Sequence, residues 1–172
     1  MGEYESLLPF YQDSADLLAL IAATLFRLAR FEQAADTLRK AVKLEPRDAD
    51  LLNLLGAAMG SAGKLDEACR ILKEARTIKP ADVEILYNLA LTLTLLTRYE
   101  EAFAIVEATL KKDHALRHDL EELRQDIVDA NLRRLVQKRV ISWSGGKPTG
   151  PATKIELSPG PPISQWIIDS RG

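Results

Sequence analysis

Cysteine, histidine, methionine and aromatic residues are all scarce in this chain: one Cys, two His, two Met and 6% Phe, Trp and Tyr among 172 residues. A single thiol, Cys69, forms no internal disulfide, so a disulfide scaffold is excluded and a reducing, cytoplasmic setting is expected. Cys69 follows Ala68 on an expected packed helix, which predicts a buried, inert thiol rather than a reactive one. Two histidines offer little to a metal. His114 and His118 stand four apart, a spacing that can bring two imidazoles to one ion, but beyond Asp113 and Glu121 no third ligand is evident, and surface histidines at a helix start are expected. The longest apolar run, Leu17 to Phe26, falls far short of the roughly 20 residues that cross a bilayer, so no membrane partner is expected. Charge of one sign is also missing. With 23 Lys and Arg against 25 Asp and Glu, the net charge of −2 argues against a nucleic-acid partner. No paired acid and base, no nucleophile beside a base and no cofactor fingerprint is found, so neither catalysis nor a cofactor is expected. Gly145, Gly146 and Lys147 lack the preceding strand and the spacing of a phosphate loop.

What the chain does have is a repeat. From Ala49 to Asp82, Leu52, Leu55, Gly56 and Met59 lie at helical spacing, then Ala68, Leu72 and Ala75, and Pro80 closes the unit. The same sizes stand 34 residues earlier, at Leu18, Ile21, Ala22 and Leu25, then Ala34, Leu38 and Ala41, then Pro46. A third copy carries Leu86, Leu89, Ala90 and Leu93, then Ala102 and Val106, after which Thr109 takes the alanine position and His114 the proline position. Each copy reads as helix, turn, helix. Helices are expected near residues 15 to 28, 31 to 44, 49 to 62, 65 to 78, 83 to 96 and 99 to 112, with Asp13 or Ser14 capping the first and Gly63 with Lys64 turning the second unit.

On these residues the chain resembles the tetratricopeptide repeat family, whose period and Leu-Gly, Ala and Pro positions it shares over roughly residues 15 to 116. Leucine replaces several of the family's large aromatics. The small residues Ala22, Gly56 and Ala90 and their counterparts Ala34, Ala68 and Ala102 let the two helices of a hairpin approach closely. The resemblance implies an all-α, right-handed solenoid of about three helix hairpins.

Four segments are expected. Residues 1–14 form a half repeat that covers the start of the array with Leu7, Leu8, Phe10 and Tyr11, and residues 15–116 form the three repeats. Residues 115–141 form a long amphipathic capping helix, with Leu116, Leu120, Leu123, Ile127 and Ala130 on one face and Leu132, Leu135 and Val136 continuing it. Arg133, Arg134, Lys138 and Arg139 near its end suit the helix dipole better than a basic docking patch. Residues 142–172 form an extended Gly- and Pro-rich tail whose P-x-x-P stretches read as linker and which needs a partner to become ordered.

The resemblance places a partner-binding groove on the first helices, at Asp16, Ala19, Leu20, Ala23, Phe26 and Arg27, then Asp50, Asn53, Leu54 and Ala57, then Glu84, Tyr87, Asn88 and Leu91. Asn53 and Asn88 are expected to hold an extended peptide's backbone while Leu20, Leu54, Tyr87 and Leu91 take its side chains; ordinary helix packing is the alternative. Family members that hold the acidic C-termini of chaperones use cations and asparagine where Ala19, Ala23, Leu54 and Glu84 stand here, so no carboxylate clamp is implied. The apolar groove is similar instead to that of short three-repeat secretion chaperones. The tail resembles the toxin-neutralising tails of bacterial antitoxins, which implies Trp143, Trp166, Ile167 and Ile168 as anchors and Arg171 as a contact to the carboxylates of a PIN-type ribonuclease toxin. Three readings follow: a non-enzymatic adaptor, scaffold or chaperone that binds a protein or peptide, an inhibitor acting through its tail, and self-association with the tail of one copy in the groove of another.

Overall fold

The computed structural model describes residues 14–111 and 116–138, and among them every regular element is an α-helix. In order these are α1 (Ala15–Arg27), α2 (Phe31–Leu44), α3 (Ala49–Ser61), α4 (Leu65–Ile78), α5 (Val83–Leu95), α6 (Tyr99–Leu110) and α7 (Arg117–Gln137). The first six lie within two residues of their expected limits. The chain divides into two compact units, Met1–Arg124 and Gln125–Gly172, with the boundary inside α7.

The hairpin boundaries are set by local chemistry that recurs every repeat. Ser14, Asp48 and Asp82 cap α1, α3 and α5, each side-chain oxygen accepting from a backbone N–H of the first turn that has no helical partner. Such a cap contributes about 1 kcal/mol. At the other end of each first helix the chain reverses through one residue with positive φ: Ala29 at 57°, Gly63 at 79° and Thr97 at 59°. The N–H of the next residue reaches back five positions, Arg30 to Leu25, Lys64 to Met59 and Arg98 to Leu93, at 2.8 to 2.9 Å. This is a Schellman stop, and only its middle copy uses the glycine it favours.

Close approach within a hairpin depends on the small residues. Ala22, Ala34, Ala68, Ala90 and Ala102 are wholly buried, together with Leu18, Leu52, Leu72, Leu89 and Val106. At Gly56 the approach is closest, since a Cβ there would stand 2.5 Å from Leu72 Cγ. Leu86 alone of the expected core set is only half-buried. Thr109, in the third copy's alanine position, is buried with its hydroxyl donating 2.8 Å to the Ile105 carbonyl, which explains how a polar residue is tolerated there.

Exposed ion pairs join successive second helices. Arg39 of α2 meets Glu67 of α4 at 3.4 Å, and one repeat later Lys73 of α4 meets Glu101 of α6 at 3.9 Å. The next residue in that series is Glu107, an acid, and its partner is Arg124 of α7 at 3.3 Å. The polarity of the contact reverses where the repeats end.

The α7 face differs from expectation. Leu120, Leu123, Ile127 and Asn131 are the buried positions, whereas Ala130 is half-buried and Leu116 is exposed at φ 51° just before the helix. A steady step of about 3.6 residues carries the buried line from Ile127 to Asn131 rather than back to Ala130.

Candidate partner-binding groove

First helices touch one another along the array, α1 against α3 and α3 against α5, while each also packs on its own second helix. Their remaining faces therefore form one continuous surface within the first unit. Residues at i, i+4, i+7 and i+11 share a helix face. On α1 that line is Asp16, Leu20, Ala23 and Arg27; on α3 it is Asp50, Leu54, Ala57 and Ser61; on α5 it is Glu84, Asn88, Leu91 and Leu95; all are exposed except the half-buried Ala57 and Asn88. Each begins with a carboxylate and carries leucine further along.

The apolar part is unusually open. Leu20 is 64% exposed, Leu54 40%, Leu91 38% and Leu95 55%, although each lies on a helix whose opposite face is fully packed. Leu95 was not foreseen as a groove residue, and continuing the stripe one turn past Leu91 would have found it. Phe26 is partly tied down by an edge-to-face contact with Phe31 across the turn, at 5.1 Å and 67°. Arg27 is exposed beside it, and Tyr87 is half-buried.

The two asparagines meet each other. Asn53 is 7% exposed, and its Oδ1 accepts from Asn88 Nδ2 at 2.9 Å, a hydrogen bond that joins α3 of the second repeat to α5 of the third, while Asn88 is half-buried. Within α5 the Asn88 backbone carbonyl accepts from the Thr92 hydroxyl at 2.8 Å.

Along the acidic edge, Lys79 Nζ donates to both Asp50 oxygens at 2.7 and 2.8 Å, which raises the lysine pKa above its ordinary value. Asp16 and Glu84 have no ion pair among the described residues.

Elsewhere, Cys69 is buried, with Arg98 Nη1 at 3.8 Å from its Sγ. His118 is exposed, and among the described residues no group of three His, Cys, Asp or Glu side chains could hold a metal ion. No described helix is long and apolar enough to cross a membrane. His114, the N-terminal Leu7, Leu8, Phe10 and Tyr11, and the tail residues Trp143, Trp166, Ile167, Ile168 and Arg171 lie outside the described residues.

Several solved structures share this fold at low identity. The TPR2AB-domain:pHSP90 complex of yeast Sti1 matches with TM-score 0.62 and 19% identity over 66% of this chain, which spans less than half, 46%, of that one. The TPR2B-domain:pHsp70 complex of yeast Sti1 matches with TM-score 0.64 and 19% identity, over 70% of this chain and 98% of the other. MamA matches with TM-score 0.60 and 16% identity, over 76% and 86%. No curated protein matches the chain significantly. Two family models, both described as tetratricopeptide repeat, match residues 15–48 and 61–127. Caps, turns, small-residue contacts and family matches agree, and the chain belongs to the tetratricopeptide repeat family.

Proposed function

We propose that this protein is a non-enzymatic interaction module, an adaptor, scaffold or chaperone, that holds a protein segment on the exposed face of its first helices. The observation that carries the reading is the row of open leucines, Leu20, Leu54, Leu91 and Leu95, on helices that have already buried their other faces. The exposed parts of these side chains contribute nothing to the fold, and covering them adds a fraction, about a third to two thirds, of the roughly 1.5 to 3 kcal/mol that burying a whole leucine is worth. Two domains of similar fold are solved as complexes with pHSP90 and pHsp70, which supports a protein partner here as well. The partner's chemistry differs from an acidic C-terminus, because Glu84 would repel it where family members that hold such ends place cations.

The test is affinity capture from lysate with the whole chain and two point variants, followed by mass spectrometry. Leu54→Arg puts a charge on the groove floor and is expected to lose the partner, whereas Trp166→Ala in the tail is expected to keep it. The opposite pattern, loss with Trp166→Ala and retention with Leu54→Arg, overturns the groove reading and moves recognition to residues 142–172. A ribonuclease released from such a complex in active form would then identify a toxin inhibitor.

A further inference from the structure

The groove's charge and its polar floor narrow the class of partner, an inference that rests on the groove reading above. We propose that the groove takes an amphipathic α-helix with an apolar face and a lysine- or arginine-bearing flank, laid across the three first helices.

The polar floor argues for a helix. An extended peptide arrives with free N–H and C=O groups along its backbone and needs partners for them, whereas a helix satisfies its own. Of the two amides best placed to serve an extended chain, Asn53 is buried and its Oδ1 already accepts from Asn88 Nδ2 at 2.9 Å. Most of what remains open is aliphatic and present on all three first helices: Leu20 on α1, Leu54 on α3 and Leu91 with Leu95 on α5. Such a surface suits the apolar side chains of a helix face better than strand backbone.

The charged edge argues for a cationic flank. Acids in a helix's first turn suit the dipole wherever they occur, so what matters here is that these lie on the groove face itself. Among the described residues Asp50 is paired with Lys79, while Asp16 and Glu84 have no ion pair and stand exposed beside the apolar floor. Complementary charge at an interface steers association and rejects wrong partners more than it adds raw affinity. Packed helices lie about 8–10 Å apart, which is about five to seven residues of a partner helix rising about 1.5 Å per residue. With Asp50 already held by Lys79, the flank should carry cations about 10 to 14 residues apart, one facing Asp16 and one facing Glu84.

The test is selection on the immobilised whole chain from two displayed libraries. One presents a Leu/Ala-faced helix of about 20 residues with its flank positions randomised; the other presents random linear peptides. The expected result is enrichment of Lys and Arg over Asp and Glu at the flank, by about tenfold, lost when selection is repeated on the Asp16→Asn/Glu84→Gln variant. Circular dichroism confirms that this variant is folded. Neutral or acidic flanks, or enrichment unchanged in the variant, overturn the charge assignment while leaving the groove reading intact if Leu54→Arg still abolishes binding. Proline-containing or otherwise non-helical winners that bind more tightly than any helix overturn the helical assignment. Winners indifferent to Leu54→Arg overturn both the inference and the groove reading beneath it.

Discussion

Two glycines one turn apart on α3 should respond to the same substitution with opposite signs. At Gly56 an added Cβ would stand 2.5 Å from Leu72 Cγ and 2.7 Å from its Cδ2. Carbon atoms prefer about 3.5–4.0 Å, so Leu72 or the helix must move by about an ångström. Leu72 is wholly buried. Overpacking of this kind costs typically 1–3 kcal/mol, against the roughly 0.8–1.0 kcal/mol that alanine gains over glycine inside a helix. At Gly60 the nearest atoms to an added Cβ are Thr92 Oγ1 at 3.7 Å and Ala68 Cβ at 3.9 Å, ordinary contacts, so the helix gain stands alone. Gly56→Ala should therefore destabilise by up to about 2 kcal/mol and Gly60→Ala stabilise by about 0.5–1 kcal/mol. Urea unfolding followed by circular dichroism reads both, and adding Leu72→Val to Gly56→Ala should cost less than the two single changes added together. Equal shifts of the same sign for the two glycines would refute the claim that the second hairpin closes on a glycine-specific contact.

The turn after each first helix supplies a second prediction: Thr97→Gly removes a β-branched residue from positive φ and should stabilise by about 1 kcal/mol, while Gly63→Val should destabilise by a similar or larger amount, both read from urea midpoints. A third concerns the reversed contact at the end of the array. Arg124→Glu should lower stability by up to about 1 kcal/mol, Glu107→Arg likewise, and the double exchange should restore it, with the whole effect fading in 0.5 M salt; three additive losses would show the pair to be uncoupled.

Much of the array is legible in the sequence because its signals are local. The period of small and large residues, the caps at Ser14, Asp48 and Asp82, and the limits of six helices all follow from contacts within a few positions of each residue. The first-helix stripe Asp16, Leu20, Asp50, Leu54, Glu84 and Leu91 came from the family resemblance, which implies which face of the first helices lines the groove. Leu95 and Asn131 were missed at the ends of their stripes. There a repeat pattern runs out and burial depends on what lies beyond it.

Tertiary structure decided the rest. That Asn88 donates to Asn53, 35 positions away, cannot be read from two polar residues on expected groove faces, because only the packing of α3 on α5 brings them within 2.9 Å. The glycine need at 56 depends on how deeply Leu72 reaches, a matter of fractions of an ångström. The turns show the converse: composition marks only Gly63, yet Ala29 and Thr97 adopt the same positive φ because the packing of each hairpin demands that reversal whatever residue occupies it. By itself the sequence determined the repeat and its helices, since these rest on short-range periodicity. Only the tertiary structure decided which polar groups on the first-helix face meet and, among the described residues, which of its carboxylates have an ion-pair partner, since both depend on residues far apart along the chain.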